Sequence, residues 1–486
     1  MKRLGWLLAA ALVFSVPAVL QSPAQAEPPP QLAHPSTATR SWMPDPGAHF
    51  NIPRTRVAQW NLEKRVVAAI NHAHRGSYIK FSIYSFDRKP VARALIRAHH
   101  RGVTVRVLLN DHRFSGAQRL LRNALTANRS HRSWSYMCTH GCRSSGDILH
   151  SKFYLFSHTG GAHYVSMVGS VNMTYNSVHN QFNDLWISNS HKSTFMWFND
   201  LFNQEAQDQP SWRQNPPHRA NESWPHPGQS EGTESTEAQI RARLTASPAH
   251  SSVLLQAIPW PRPSSRNDPI MAILRRVHCY GATGGTGGSG NRTIVRVNMH
   301  AWTQDRGAWI AKRLRYMYAH GCHVQLLYGF GGAKVRHVLA QRTSRGYVPT
   351  RSDGYDTNGD HELDKYSHQK ELLISGHYGS QSGYRLSITG SSNYADHGLT
   401  GDEILFLIHR HAAYNAYVRN FNTIWDHYSH PTRYQPRRST SMSLADRMAD
   451  DNLGGLAKTP SDLLNGPGDT LLVPQPRPAG PAWEGD

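Results

Sequence analysis

The chain has 486 residues, of which 38% are hydrophobic, and this length excludes the small scaffolds that need crosslinks or metals to fold. It leaves room for two ordinary domains or one large two-lobed domain. The net charge of +20 favours polyanionic partners such as nucleic acid, anionic lipid head groups or cell-wall polymers, but charge alone does not select among them.

Residues 1–26 have the pattern of a secretory signal peptide. The basic residues Lys2 and Arg3 precede the apolar run Leu4–Leu20, and Ala24–Ala26 supplies a small-x-small cleavage site. The run is short for a membrane anchor, and no other apolar stretch is long enough to span a bilayer. We therefore predict cleavage before Glu27 and a secreted, extracellular protein.

The first half begins with a predicted βαβ unit. Tyr78–Phe86 alternates between apolar and polar residues as a strand does, and Pro90–His100 has apolar residues at helical spacing. Gly102 is a typical helix stop, and Val103–Val107 alternates as a second strand. A further helix, Leu62–His74, precedes the unit. A helix between two strands indicates a parallel pair with a right-handed crossover.

The second half repeats this order. Thr293–Trp302 is the predicted strand, Ala308–His320 the helix, and Cys322–Leu326 the next strand. The helix stops Gly102 and Gly321 lie 219 residues apart, and the other elements keep that offset. The chain is therefore an internal duplication of an α/β unit.

Composition divides the chain into five segments. After the signal peptide, residues 27–203 form the first predicted lobe, and residues 204–240 form a linker rich in Pro, Gln, Asn, Ser and His. Residues 241–430 form the second lobe. Residues 431–486, with many Pro, Gly and Asp, form a flexible C-terminal tail.

An even number of cysteines in an exported protein indicates two disulfides. The four are Cys138, Cys142, Cys279 and Cys322. We favour 138–142 and 279–322 because each pair lies within one half, although three pairings are possible. A zinc site made of all four thiolates is the alternative, and it would require the two halves to converge.

Two polar motifs are duplicated in register with the scaffold. Each half contains His-x-Lys and, about twenty residues later, Gly-Ser-x-Asn. The residues concerned are His150, Lys152, Ser170 and Asn172 in the first half, and His368, Lys370, Ser391 and Asn393 in the second. The histidines lie 218 residues apart and the Gly-Ser pairs 221 apart, close to the offset of the scaffold. A single His-x-Lys among 30 histidines would be incidental, but a duplicated set is not.

These side chains suit a tetrahedral phosphate. Both motifs occur in apolar, strand-like runs, where residues i and i+2 project to one face, so each His points with its Lys. If the neighbouring strands pair, each half presents an imidazole, an ammonium, a hydroxyl and an amide to one place. The sequence shows no carboxylate cluster near the motifs that would hold a divalent metal, so we expect no metal and no cofactor.

At this point the chain resembles the phospholipase D superfamily, whose signature is His-x-Lys, four residues, Asp, and then Gly-Ser-x-Asn, present twice. The resemblance covers about Phe50–Tyr428 and is strongest to secreted actinobacterial phospholipases D and to relatives of cardiolipin synthase. It implies two similar α/β/α half-domains with pseudo-twofold symmetry and one metal-independent active site at their interface. The family Asp is replaced by Ser157 and Ser375, which keeps a catalytically impaired or specialised member as an alternative.

The resemblance also implies an acidic partner for each catalytic histidine. Asp184 lies 34 residues after His150, and Glu403 lies 35 residues after His368. We therefore predict a His–carboxylate pair in each half, which would orient the ring and fix its tautomer. Ordinary surface carboxylates are the alternative.

The implied mechanism is a two-step displacement through a phosphohistidine. By resemblance, His150 attacks phosphorus, and His368 protonates the leaving alcohol and then activates water or an acceptor alcohol. The Lys and Asn residues stabilise the equatorial oxygens, with the Ser residues in support.

Three classes of function remain: a phospholipase D that releases head groups and also transfers them, a secreted nuclease of the same superfamily, or a binding protein with a degenerate site. Aromatic residues expected in loops, among them Trp134, Tyr136, Trp212 and Trp224, could lie at a membrane surface, and packing within the protein is the equal alternative. The positive charge favours nucleic acid. Family nucleases are typically short single-motif dimers, so this fused chain is expected to be a monomer that acts on phospholipid.

Overall fold

The computed structural model describes residues 42–144, 148–209, 253–258, 264–355 and 363–432, with the backbone alone for 253–258. The predicted signal peptide, Trp212, Trp224 and most of the predicted linker and tail lie outside these ranges. Within them, no helix is both long enough and apolar enough to cross a membrane. The described residues form two large mixed β-sheets and one small two-stranded sheet, with helices, as expected of an α/β protein.

The first sheet has the strand order β1-β8-β6-β5-β2-β3-β4. The strands of this half are β1 (Gly47–Phe50), β2 (Tyr78–Ile83), β3 (Thr104–Leu109), β4 (Trp134–Met137), β5 (Phe153–Thr159), β6 (Ala162–Gly169), β7 (Gln181–Phe182) and β8 (Asp184–Ser188). Its helices are α1 (Asn61–Asn71), α2 (Lys89–His100), α3 (Gly116–Leu125), α4 (Tyr175–His179) and α5 (Lys192–Glu205). The predicted unit is confirmed, because β2 and β3 are parallel and α2 connects them. The sheet is mixed because β5 pairs with β2 in the antiparallel sense.

The second sheet has the order β18-β13-β12-β11-β15-β16-β17-β9, with β10 against β15. The strands are β9 (Val253–Ile258), β10 (Val277–His278), β11 (Ile294–Trp302), β12 (His323–Gly331), β13 (Thr350–Ser352), β14 (Tyr366–Ser367), β15 (Lys370–Tyr378), β16 (Gln381–Gly390), β17 (Glu403–Ile408) and β18 (His430–Pro431). The helices are α6 (Pro269–Arg275), α7 (Gln304–Ala319), α8 (Ala333–Leu339), α9 (His397–Thr400) and α10 (His411–His427). Strands β11 and β12 are parallel and β15 is antiparallel to β11, so this half repeats the first.

Three hydrophobic cores arrange these elements in five layers. Helices α1 to α3 cover the outer face of the first sheet, and α6 to α8 cover the outer face of the second. Helices α5 and α10 lie between the sheets, where Phe198 of α5 packs against Phe153 of β5 and Phe406 of β17. The two halves thus share a central core, which holds their facing sheets together.

Both predicted helix stops are confirmed by their backbone geometry. Gly102 follows α2 with a φ of 89°, and Gly321 follows α7 with a φ of 107°. A side chain is strained in that conformation, so glycine allows each chain to turn directly from the helix into the parallel strand. At Gly321 a Cβ would also overlap the hydroxyl of Tyr280.

Both predicted disulfides are present, Cys138–Cys142 and Cys279–Cys322, so the four-thiolate zinc site is wrong. Of the two alternatives for Trp134, packing is confirmed and the membrane interface is wrong. Its ring is buried in β4 and stacks on Phe202.

Two predicted boundaries shift slightly. Residues 204 and 205, assigned to the linker, complete helix α5, and residue 431, assigned to the tail, belongs to β18. Tyr136, which we expected in a loop, lies half-buried in β4 and donates its hydroxyl to Asp208.

Candidate active site

Two crossed backbone contacts bring the duplicated motifs to one interface. The N–H of His150 donates to the carbonyl of Asp402 (3.0 Å), and the N–H of Asp402 donates to the carbonyl of Ile148 (2.8 Å). The N–H of His368 donates in the same way to the carbonyl of Phe182 (2.9 Å). The His-x-Lys segment of each half is therefore hydrogen-bonded to the opposite half. The residue it contacts there, Asp402 or Phe182, follows the Gly-Ser-x-Asn motif of that half.

The His-x-Lys residues lie at the start of their strands rather than within them. His150 and Lys152 precede β5, and His368 precedes β15, which begins at Lys370. The predicted strand placement is wrong for His150 and His368, whose N–H groups pair across the halves instead of with the neighbouring strand. Lys152 lies just before β5, and its carbonyl still accepts from the N–H of Gly169 at the end of β6 (3.4 Å). All four side chains are buried. The Lys152 ammonium donates to the carbonyl of His150 (2.8 Å), which holds the two motif residues together.

His150 is paired with a carboxylate from the other half. Its Nδ1 lies 2.8 Å from Oε1 of Glu403, and neither side chain is exposed by more than 1%. An ionised carboxylate only accepts hydrogen bonds, so Nδ1 carries the proton and Nε2 is the reactive nitrogen of the neutral ring. The predicted pairing of Glu403 with His368, in its own half, is wrong.

His368 has neutral partners. Its Nδ1 donates to the amide oxygen of Asn183 (2.9 Å) and to the carbonyl of Ser170 (3.0 Å). The amide orientation of Asn183 is fixed because its NH2 group donates to the carbonyl of Ser177 (3.2 Å). Two neutral oxygens thus orient the His368 ring through Nδ1, the same nitrogen through which Glu403 orients His150.

Asp184, the predicted partner of His150, contacts neither histidine. Its carboxylate accepts hydrogen bonds from the N–H of Ser170 and from the hydroxyls of Thr389 and Tyr417. Burial raises the pKa of Asp184, and these hydrogen bonds oppose that rise. Asp184 therefore belongs to a buried polar network that supports the backbone of Ser170.

A one-residue difference in register explains the wrong assignment. The N–H of Ser170 donates to the carbonyl of Asp184, and the N–H of Ser391 donates to that of Ile404. Asp184 is thus the structural equivalent of Ile404, and Asn183 is the equivalent of Glu403. Because successive strand residues project to opposite faces, a shift of one residue turns a carboxylate away from the site. In the sequence, the polar residue Asn183 directly before Asp184 was the signal that Asp184 need not be the equivalent of Glu403.

The Gly-Ser-x-Asn motifs have matching hydrogen bonds in the two halves. The amide oxygen of Asn172 accepts from the N–H of Ser85 (3.3 Å), and that of Asn393 accepts from the N–H of Ala301 (3.2 Å). The NH2 group is therefore the end of each side chain suited to an anionic oxygen. The hydroxyl of Ser391 accepts from the N–H of Ile404 (2.9 Å), as that of Ser170 does in its half, so both serines support the backbone of the motif.

The glycines of these motifs are required by close backbone approach. A Cβ at Gly169 would overlap the carbonyl of Asp184, and a Cβ at Gly390 would overlap that of Ile404. Glycine lets the end of each hairpin strand lie against the next strand, which sets the position of the following Ser and Asn.

The two serines that replace the family Asp hold structural positions. The hydroxyl of Ser157 accepts from the N–H of Tyr78 (2.9 Å), and that of Ser375 donates to the carbonyl of Thr286 (2.7 Å). Both bonds stay within one half. The replacement therefore removes no group from the set that surrounds the histidines.

Sequence reasoning missed a polar support beneath each His-x-Lys. The hydroxyl of Ser151, between His150 and Lys152, donates to Glu205 (2.9 Å) at the end of α5. In the second half the amide of Asn420 on α10 donates to Gln369 (3.1 Å). Burial raises the pKa of Glu205 to about 8, so its carboxyl is largely protonated at neutral pH. No short motif marks these residues, because each comes from a helix far along the chain.

Among the described residues, no group of three or more His, Cys, Asp or Glu side chains is arranged to hold a metal ion. The interface instead collects two imidazoles with defined tautomers, two lysines and two asparagine amides. Such a set can supply a nucleophile, a general acid and hydrogen-bond donors for an anionic oxygen.

Comparison with known proteins finds one family and several solved structures that are similar to this chain. The family described as "Cardiolipin synthase, PLD-like domain" matches residues 66–205. Among solved structures, a phosphatidylserine synthase from Haemophilus influenzae is similar over 81% of this chain and 89% of its own, with 11% identity and a TM-score of 0.50. This likeness shows a shared fold. No curated protein matches the sequence.

Two other solved structures are similar to parts of the molecule. A polyphosphate kinase from Porphyromonas gingivalis matches 82% of this chain but only 54% of its own length, with 12% identity and a TM-score of 0.49. The phospholipase D family member Nuc from Salmonella typhimurium matches 34% of this chain and 96% of its own, with 17% identity and a TM-score of 0.26.

Proposed function

We propose that this chain, whose residues 66–205 match a PLD-like domain, is a secreted phospholipase D of the phospholipase D superfamily that cleaves phosphodiesters through a phosphohistidine. The observation that carries the proposal is the crossed interface. At this interface the buried His150–Glu403 pair lies beside Lys152. His368 contacts Ser170, which belongs to the Gly-Ser-x-Asn motif of the opposite half.

The proposed reaction has two displacements. First, Nε2 of His150 attacks phosphorus, the bond from phosphorus to the leaving alcohol breaks, and His368 donates a proton to that oxygen. Then His368 takes a proton from water or an acceptor alcohol, whose oxygen attacks phosphorus as the P–N bond breaks. The side chains of Lys152, Lys370, Asn172 and Asn393 donate to the equatorial oxygens, with Ser170 and Ser391 in support.

The unequal partners of the two histidines favour these roles. A phosphorylated His150 would carry a positive charge on its ring, which the Glu403 carboxylate stabilises. The Nδ1 of His368 donates to two neutral oxygens, whereas that of His150 donates to a carboxylate. His150 is thus suited to be the nucleophile and His368 the acid and base.

Phospholipid is the proposed substrate, and nucleic acid is the alternative. The chain carries both motifs, whereas family nucleases are typically short single-motif dimers, so the proposed enzyme acts as a monomer. The positive charge of the chain supports either an anionic membrane surface or a nucleic acid. Secretion is supported by the two disulfides, which persist in oxidising compartments.

A head-group release assay tests the substrate class. The protein is incubated with vesicles of single phospholipids and, in parallel, with plasmid DNA, and a His150→Ala variant shows whether cleavage is intrinsic. We expect head-group release that is fastest on anionic vesicles and weakened by salt. DNA cleavage that falls steeply with salt and is lost in the variant, without head-group release from any lipid, would make the protein a nuclease.

Metal dependence is tested in the same assay. We expect dialysis against a chelator to leave the rate on a soluble short-chain phospholipid unchanged, since the proposed steps use only side chains of the chain. Loss of activity that zinc or calcium restores would contradict the mechanism.

A further inference from the structure

The loop closed by Cys138–Cys142 is attached to a buried carboxylate of the opposite half. The N–H of Arg143 donates to Oδ2 of Asp402 (2.9 Å), and the N–H groups of Cys142 and Ser144 also donate to this carboxylate. Asp402 is only 1% exposed. The approach is close, because a Cβ at Gly141 would lie 3.0 Å from Oδ2 of Asp402.

Asp402 also adjoins the catalytic pair. Its backbone accepts from the N–H of His150 and donates to the carbonyl of Ile148, and the next residue is Glu403, which holds the His150 ring. A shift of Asp402 therefore moves both the His150 backbone and the carboxylate that orients its side chain.

This contact is found in one half alone among the described residues. The equivalent of Asp402 is Phe182, whose carbonyl accepts from the N–H of His368. The Phe182 side chain packs in the central core against Tyr428. The duplicated fold therefore does not need a carboxylate here, so the fold alone does not explain Asp402.

The hydrogen bonds from the loop matter because burial penalises the charge of Asp402. Burial raises the pKa of this carboxyl to about 7, while Arg143 and the loop N–H groups lower it. Opening the loop would remove donors from a buried carboxylate, which would then move or become protonated.

We propose that Asp402 and the Cys138–Cys142 loop form a positioning element for the Glu403–His150 pair, so that a thiol reductant slows turnover by opening this disulfide. Two thiol molecules reduce the bond to two cysteine thiols and leave as their own disulfide. The cysteines lie outside both motifs, so their sequence positions give no sign of this link. The inference rests on the proposed function, since it concerns the same histidine.

Three variants test the proposal on a soluble diester, bis(4-nitrophenyl) phosphate. Cys138→Ser/Cys142→Ser opens the loop, Asp402→Asn removes the charge without changing the disulfide, and Cys279→Ser/Cys322→Ser is the matched control. We expect kcat to fall about tenfold to a hundredfold in the first two, with KM changed less than about twofold. The control should keep kcat within about twofold of the wild type. The acidic limb of the pH–rate profile should move in the first two variants but not in the control.

A spectroscopic measurement separates this inference from the proposed function. The Nδ1–H proton shared with Glu403 should give a downfield proton resonance that is absent in Glu403→Gln and is lost or shifted in the loop variant. Wild-type kcat, pH profile and resonance in a folded loop variant, or in Asp402→Asn, would overturn the inference. An inactive wild type with a resonance that depends on the disulfide would refute the proposed function and support the positioning element.

Discussion

Replacing Glu403 by Gln tests the charge of the His150–Glu403 pair, whose catalytic role we propose, while preserving its shape. The His150 Nδ1 and Glu403 Oε1 atoms are 2.8 Å apart and shielded from water. With charge centres about 4 Å apart and an effective dielectric constant of about 20, the attraction between imidazolium and carboxylate is about 4 kcal/mol. The Gln amide keeps a hydrogen bond but loses this attraction. Since each 1.4 kcal/mol is about tenfold in rate, we expect kcat to fall about a hundredfold to a thousandfold.

The assay is steady-state hydrolysis of a soluble diester across a range of pH. Glu371→Gln is the matched control, since Glu371 is equally buried, lies beside Lys370 in β15, and has a pKa raised well above the usual value by burial. Burial disfavours the charged form of Glu371, so removing this carboxyl in the control should leave kcat unchanged. KM should change little in Glu403→Gln, because the charge acts on the transition state and the intermediate. A folded Glu403→Gln protein with kcat within about threefold of the wild type would refute the reasoning.

Three further predictions concern the histidines, the disulfides and a buried carboxyl. His150→Ala and His368→Ala should each reduce turnover at least about a hundredfold with an unchanged circular dichroism spectrum, and retention of a tenth of the wild-type rate by either would contradict the two-histidine scheme. Removing Cys279–Cys322, with a separation of 43 residues, should cost about 4 kcal/mol in denaturant unfolding, against about 2 kcal/mol for Cys138–Cys142, with a separation of 4. An equal loss of unfolding free energy on removal of either disulfide would exclude loop entropy as the cause. Glu205 has a raised pKa, so the stability it contributes is fully present at acidic pH and is lost as pH rises towards 8. The stability of Glu205→Gln relative to the wild type should therefore increase between pH 5 and 8, by at most about 1.4 kcal/mol per pH unit. Stability curves of the two proteins that run parallel over this range would contradict the raised pKa of Glu205.

The duplicated scaffold could be predicted because its signals are local. Helical spacing in α2 and α7, followed by Gly102 and Gly321, fixes the βαβ unit of each half within short stretches of sequence. The two motifs could be predicted for the same reason, because each is a short pattern repeated at the scaffold's offset.

The carboxylate partner of His150 could not be predicted in the same way. The partner of His150 is 253 residues away in sequence, and its identity depends on the register of strand pairing in each half. Counting residues from each histidine placed Asp184 and Glu403 at matching positions, while the hydrogen bonds make Asn183 the equivalent of Glu403. The middle-layer helices α5 and α10 were also missed. Buried between two sheets, α5 has apolar residues such as Phe195 and Trp197 on more than one side.

The most direct test of the proposed chemistry is to trap the covalent intermediate. The protein is mixed with a phosphodiester carrying labelled phosphorus, quenched under alkaline denaturing conditions that preserve phosphohistidine, digested and analysed by mass spectrometry. We predict label on the peptide that contains His150, no label in His150→Ala, and accumulation of label in His368→Ala when the substrate has a leaving group that needs no protonation. Label on His368 would reverse the assigned roles. Turnover by the wild type with no label on either histidine would contradict the phosphohistidine mechanism.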